Sequence, residues 1–356
     1  MQEILDFHSK FSEENSIDFW VNKVKNDSIA AEIISSDAFQ RLEDISFLGS
    51  LDYIGEHSKE KKVERSRACH SLHVAALASY VSFKRNYSKE LTDHLVASAL
   101  LHDVGHPPFS HSAEPSIKKQ LGYGHHEMGE QIIRGKEDSV GVSLNKILAR
   151  YLDVDFVIDL LNKKIDPADG GDLFSSQINI DTIDGIIRSL GYFSKIESTL
   201  TIEIAAASFL GDSRSSAALD NFWLKKNFVY NKIINSRQGI LQDKICELYF
   251  VNEEIFSEED FIKKESALKR RYKSLFYALK NSYKLFKYPE WIDGEVIRFT
   301  HREYTINPDE NGVNRYQTKK IKKKLEINNE YIYGEKTNER PFFSRISNNC
   351  QRDFFL

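Results

Sequence analysis

Apolar residues recur at three- and four-residue intervals through most of this chain, the spacing of helices that bury one face. After a short polar lead over residues 1–14, Ile17 to Leu48 carries few breakers. Ile33, Ile34, Phe39, Leu42, Ile45 and Leu48 would line one buried face there, stopping at Gly49. Ser50 to Arg65 is polar and charged and reads as an ordered loop. Helices are expected over 67–84, 90–104 and 125–135, then from Ser143 through Leu161. The pattern breaks at Ile165-Asp-Pro167-Ala-Asp169-Gly170-Gly171 and resumes as a helix from Asn179 to Gly191.

From Thr199 to Tyr283 the periodicity is that of long helices, joined near Gly211–Ser216 and Asn252–Glu259. Phe261 to Lys287 is rich in Lys, Arg and aromatics and reads as a solvated basic face over an aromatic core stripe, in preference to a nucleic-acid patch. Past Pro289 the character changes: Val296–Thr300 and Leu325–Tyr333 read as strands flanking the turn-rich Asn307–Gly312. The expected organisation is mainly α, with a helical core over 1–250, a basic, aromatic helical segment over 251–287 and a small α+β extension over 288–356. No internal repeat or low-complexity tract interrupts it.

Composition narrows the picture only a little. At 356 residues and 41% hydrophobic content the chain can bury a sizeable core. A net charge of -4 gives the molecule as a whole no basic surplus of the kind that marks nucleic-acid or membrane binding. Cys69, Cys246 and Cys350 are scattered singly, which favours a reducing compartment. The first fifteen residues lack a signal-type apolar core and no apolar run approaches ~18 residues, so a cytoplasmic protein without a membrane span is expected.

The chemistry gathers at Ser98-Ala-Leu-Leu-His102-Asp103-Val-Gly105-His106-Pro107-Pro108-Phe109-Ser110-His111. Leu95 to Leu101 reads as a buried helix that delivers His102 and Asp103 to its tip, where Gly105 and two prolines end it. An imidazole beside a carboxylate is costly to bury without partners, so the pair is either exposed or satisfied by a metal. Further ligands are at hand. His70 lies on the helix beginning at Arg67, three residues from it and on the same face, and Asp181 lies in the first turn of the Asn179 helix. His70, His102, Asp103 and Asp181 make an N2O2 set suited to one hard or borderline divalent ion, whether Mn, Fe, Mg, Co, Ni or Zn, with positions left for water and substrate. Such an ion polarises a phosphoryl oxygen or acidifies a water. His57, His73, His94 and His301 are read as ordinary histidines.

These residues resemble the HD-domain superfamily, and within it the deoxynucleoside triphosphate triphosphohydrolases. The likeness rests on His102-Asp103-Val-Gly105-His106-Pro107-Pro108-Phe109-Ser110-His111-Ser-Ala-Glu114. It extends to Phe39-Gln40-Arg41-Leu42 through Leu48-Gly49, Arg67-x-x-His70-Ser-Leu, His126-Glu127-x-Gly129 and Asp181-x-x-Asp184-x-x-x-Arg188, in that family's order over residues 30–240. The resemblance implies an HD-type helical bundle, a nucleotide substrate and a homo-oligomer. It assigns His111 and His126 to proton transfer and phosphate contact, with Glu114 orienting His126, His106 near the substrate, and Arg67 on a phosphate. A weaker match sets Tyr230 and Asn231 on the family's sugar-contacting segment.

The family's phosphate and sugar clamp is where the likeness thins. Its Lys, Tyr and Asp after the metal-binding Asp are here Thr182, Gly185 and Ser189, its sugar-reading Gln is Phe47, and its Arg upstream of the Tyr segment is Phe222. The expectation is metal-dependent hydrolysis of a nucleotide phosphoester, with release of tripolyphosphate from a deoxynucleotide as the family's reaction. The alternatives are phosphatase or phosphodiesterase action on a nucleoside monophosphate, cyclic nucleotide or nucleic-acid end, and a non-catalytic nucleotide-sensing module.

Overall fold

A computed structural model describes residues 14–54, 64–192, 199–211, 215–282 and 288–327. The long N-terminal helix expected from Ile17 is instead a series of short ones: α1 (Ile17–Lys25), α2 (Ser28–Ser35) and α3 (Asp37–Gln40), then 3-10 turns at Arg41–Asp44 and Gly49–Tyr53. The periodicity did predict burial of Ile33, Phe39, Leu42 and Ile45. It did not register Asp27 and Ser36, whose side chains cap fresh helix starts by accepting the N–H groups of Ile29 and Ala30, and of Phe39.

At the centre lies α4 (Arg67–Lys84), started by Ser66, which accepts the Cys69 N–H. Its apolar residues are buried most of the way round, as a central helix requires. It packs along α5 (Lys89–Leu101), and α1 crosses it with Trp20 against Tyr80. After the turn bearing His102 to Ser112 come α6 (Glu114–Leu121), α7 (His125–Ile133), α8 (Gly141–Tyr151) and α9 (Val154–Leu161). The break near Pro167 holds a 3-10 turn and α10 (Asp172–Ser175), and α11 (Ile180–Leu190) then returns to pack on α4.

Helices α12 (Leu200–Phe209), α13 (Ser215–Val229), α14 (Arg237–Asn252), α15 (Glu258–Phe261) and α16 (Lys273–Asn281) complete the helical part. A π-helical turn, Tyr230–Ile234, follows α13. Phe250, Phe256, Phe261, Tyr272 and Phe276 form the aromatic stripe and meet Phe109 of the turn after α5.

The C-terminal sheet is one antiparallel pair, β1 (Val296–Ile306) and β2 (Tyr316–Glu326), with Arg302 opposite Lys320. The second strand therefore begins nine residues earlier than expected, at Tyr316 rather than Leu325, and Ile327 is the last described residue of the segment predicted to run to Tyr333. Five lysines weaken the strand signal over this stretch. No described helix is long and apolar enough to cross a membrane.

Candidate metal centre and histidine cluster

Three of the chain's helices, α4, α5 and α11, bring side chains to one point. Asp184 of α11 accepts the His70 Nδ1–H at 2.6 Å, and the Ala99 carbonyl accepts the His102 Nδ1–H at 2.8 Å. Carboxylates and carbonyls only accept, so both rings carry their proton on Nδ1 and turn a lone pair outward at Nε2. Those two Nε2 atoms lie 3.2 Å apart, with Asp181 Oδ1 3.1 Å from His70 Nε2. Asp103 Oδ2 is 3.4 Å from His102 Nε2 and 3.7 Å from His70 Nε2. Lone pairs and carboxylates pressed together repel unless a positive charge sits among them. In the ion-free protein a proton answers that need: burial opposes it, but hydrogen bonds to Asp181 and Asp184 outweigh burial and push His70 up to about 9. A divalent ion fits the same place, and all four expected ligands are brought together.

The cluster opens to solvent in one direction. His70 is fully buried, His102 is 12% exposed and the Asp181 side chain 58% exposed, so a ligand approaches over Asp181. Behind the site, Arg188 donates to both Asp184 oxygens and His73 Nδ1 lies 3.2 Å from one of them. The sequence reading left His73 out. Its signal was spacing, since it stands three residues after His70 just as Asp184 stands three after Asp181.

A second cluster stands beside the first. His106 is fully buried, and although its Nε2 is 3.2 Å from Asp103 Oδ1, the angle is wrong for a hydrogen bond and neither ring nitrogen has a partner. Burial and the Arg67 charge hold His106 neutral, well below its usual range. A buried imidazole with no partner is a group waiting for a ligand. Its ring stacks on His125 at 4.1 Å and 11°, and His111 stands edge-on at 4.6 Å. One nitrogen from each of the three rings lies within 4.8 Å of the others, so the trio converges on one small space facing a single polar group or ion.

Glu114 holds two of the three rings, and here the expectation needs correcting. Its Oε1 accepts from the His125 ring and backbone N–H, and its Oε2 accepts from His111 Nδ1 at 3.2 Å. Burial disfavours its charge, yet these donors keep it ionised, far below the usual carboxyl range. His126, not His125, had been assigned this partner. His125 is the first residue of α7, and one step along a helix turns His126 by about 100° into solvent. Gly105 permits the approach: a Cβ there would come within 2.0 Å of the His125 carbonyl.

Arg67 is buried and donates from Nη1 to Asp103 at 2.6 Å and from Nε to Ser110 Oγ at 3.0 Å. Two of its three guanidinium nitrogens thus serve the site's own frame. The turn it grips is strained, with Phe109 and Ser110 at φ of 65° and 47°. Glu265 restrains it by accepting the Phe109 N–H at 2.9 Å, the Ser46 N–H and hydroxyl, and the Tyr53 hydroxyl. Gly49 closes the same contact at φ 60°, where a Cβ would strike the Phe109 carbonyl at 2.2 Å. Arg41, from the Phe39–Leu42 block, ties the Val104 carbonyl to that of Phe261.

The remaining expected contacts have other partners. Tyr230 and Asn231 sit on the π-helical turn, where Tyr230 accepts from Arg302 and Asn231 donates to Asn227. Phe222 is fully buried, and Ser189 is spent on the Gly185 carbonyl. Phe47 packs 4.8 Å from the His70 ring with the Arg67 and Arg188 guanidiniums over its face. Its loop is fixed by Asp52, which accepts the Leu48 N–H at 2.8 Å and the Tyr192 hydroxyl. Burial raises Asp52 and these donors offset it only partly, leaving it at about 6. The folded state thus binds this proton more tightly than the unfolded chain. The stability it lends is complete below the ordinary carboxyl value and is lost as pH rises through about 6. Asp52→Asn, measured against wild type by urea unfolding from pH 4.5 to 8, should gain about 2 kcal/mol of relative stability across that window. A flat difference would show that Asp52 titrates normally.

Residues 67–171 match the HD domain family. An uncharacterized protein of Methanocaldococcus jannaschii is 32% identical over 157 residues, 44% of this chain and 29% of that protein. The deoxyguanosinetriphosphate triphosphohydrolase-like protein 2 of Mesorhizobium japonicum is 27% identical over 179 residues, 44% of this chain and 38% of its own length. A deoxyguanosinetriphosphate triphosphohydrolase-like protein of Caldanaerobacter subterraneus is 34% identical over 115 residues, 32% of this chain and 31% of its own. The matched segment spans less than two fifths of each of these relatives.

Proposed function

We propose that this chain, with its HD domain over residues 67–171, hydrolyses a nucleotide phosphoester with one divalent ion held by the converging His70, His102 and Asp181 and by Asp103 beside the two histidines. The observation that carries the reading is the pair of outward Nε2 lone pairs 3.2 Å apart, beside a buried, neutral and unpartnered His106. When bound, the ion supplies Lewis-acid polarisation of a phosphoryl oxygen. The chain's own residues do the rest. Arg67 steadies Asp103 and offers its remaining edge to a phosphate. His106 presents a neutral ring to the substrate. His111 and His125, both oriented by Glu114, hold or deliver a proton to a leaving oxygen from Nε2.

Release of tripolyphosphate from a deoxynucleoside triphosphate is the leading reaction, supported by the names of the Mesorhizobium and Caldanaerobacter relatives. Phe222 in the core and Phe47 against His70 favour a second reading. With fewer cations and sugar-reading groups, the site suits a less charged phosphoester such as a nucleoside monophosphate, a cyclic nucleotide or a nucleic-acid end.

A nucleotide panel incubated with metal-loaded protein, with tripolyphosphate, pyrophosphate and phosphate followed separately, distinguishes these readings. No turnover of any substrate with any of the six metals would refute hydrolysis. Within that assay His125→Ala should lower kcat by about 10²–10⁴-fold and His126→Ala by far less. The reverse order would restore His126 to the role.

A further inference from the structure

The C-terminal ribbon carries an unusual surface. Strand β2 holds five lysines in eleven residues, Lys319, Lys320, Lys322, Lys323 and Lys324, with Glu326 its one acid. All five are exposed, as are Arg298 and Arg302 of β1. In an antiparallel pair, partners share a face and every second residue returns to it. The register therefore lines up Arg298 with Lys324, Thr300 with Lys322, and Arg302 with Lys320 on one face. Two of these three ranks set like charges directly opposite each other, which destabilises a sheet.

Nothing within the row relieves that repulsion. Lys322 donates to Thr300 Oγ1 at 3.1 Å, Glu303 lies on the other face near His301, and Glu326 stands past the end of the row opposite Val296. Among the described residues none of the five row cations has an acidic partner within ion-pair distance. A lone two-stranded ribbon is marginal in water, yet this one is anchored. Trp223 Nε1 donates to the Thr305 carbonyl at 3.0 Å, the Tyr304 N–H donates to Asn227 Oδ1 at 3.1 Å, and Arg315 grips Asp220. The helical part thus holds a row of cations out to solvent in a fixed frame. In a chain whose net charge is -4, that segregation is local and built into the fold.

We propose that this face of the ribbon, Arg298, Arg302, Lys320, Lys322 and Lys324, is a binding site for the phosphodiester backbone of a nucleic acid. The length of the row argues for a strand over a free nucleotide. Three ranks at ~3.4 Å per residue extend over about 14 Å. A free nucleotide carries its charge at one end, whereas a nucleic-acid strand repeats one phosphate per nucleotide along the whole row. Arg302 donates to Tyr230 on the π-helical turn, and Lys226 of α13 lies over Trp223 and Tyr304, near enough to Asp181 for that carboxylate to favour its charge.

The site is independent of whether the chain hydrolyses anything, so its test is run in chelator. The full chain is titrated into labelled mixed-sequence DNA, single-stranded and duplex in separate arms, with anisotropy read at several salt concentrations. Binding in either arm is expected, weakening with salt at a slope of about -0.7 per phosphate contacted on a single strand. The variant Lys320→Gln/Lys322→Gln/Lys324→Gln should lose about two units of that slope and tenfold or more in affinity. It should melt no lower than wild type, because it removes repulsion, and should keep its hydrolytic activity on free nucleotides. The proposal is overturned by no binding at low salt, or by a triple variant that binds like wild type. It is also overturned if inorganic tripolyphosphate displaces the DNA as well as unlabelled strand does at equal phosphate. Ribbon-dependent binding to anionic vesicles without binding to DNA overturns it in favour of a lipid surface.

Discussion

With His102 changed to alanine, turnover of any nucleotide the wild-type protein hydrolyses falls about a thousandfold or more, while the fold survives. The expectation follows from position. His102 caps the end of α5, is 12% exposed, and is held only by its Nδ1–H on the Ala99 carbonyl, so shortening it opens no large core cavity. What is lost is one of the two nitrogens facing the ion. A metal's stabilisation of developing charge is worth several kcal/mol, and each 1.36 kcal/mol is a factor of ten. Two readings separate this from unfolding. The metal-free variant should melt close to metal-free wild type, because the ring removed is partly exposed and a proton already relieves the 3.2 Å contact between Nε2 atoms. Added divalent ion should raise the melting temperature of wild type and leave the variant unmoved. A variant that retains activity would place the ion, or the chemistry, elsewhere.

The second large effect is at a residue that bonds none of the four expected ligands. Glu265→Ala is expected to destabilise the protein by about 3–5 kcal/mol, since it strands several buried donors at once. These are the N–H groups of Phe109 and Ser46 and the hydroxyls of Ser46 and Tyr53. The strained Phe109-Ser110 turn loses its restraint, and with it the Ser110 hydroxyl that positions Arg67. Glu265→Gln keeps one accepting oxygen and should fall between the two. Urea unfolding measures the first effect. The second shows as a loss of kcat in the Gln variant under conditions where it is fully folded. A loss below 1 kcal/mol in the alanine variant would mean that the loops around Ser46 and Phe109 hold themselves.

Which parts of this were readable in the sequence depended on what carries each feature. The convergence of these side chains was legible because each sits at a helix end or on a helix face that local spacing defines: His70 one turn into α4, His102 at the end of α5, Asp181 at the start of α11. The exchange of His125 for His126 was not, because neighbours in sequence differ by a third of a helical turn and only the docking of Glu114 decides between them. Glu265 lies 156 residues from the Phe109 it restrains, a separation over which no pattern in one sequence speaks. Asp27 and Ser36 were visible capping residues that the run of apolar residues masked. The basic ribbon was missed for the opposite reason. Its lysines were plain to see, but lysine weakens the strand signal, and only the register shows that five cations share one face.

The central claim is that His70, His102, Asp103 and Asp181 share one ion. Titrating chelator-stripped protein with Mn2+ and following the free ion by electron paramagnetic resonance tests it most directly. One ion should be bound per chain, with affinity reduced more than about a hundredfold in each of His70→Ala, His102→Ala and Asp181→Ala. If wild type leaves the manganese free, or if the three variants bind it as wild type does, the four side chains do not form a metal centre.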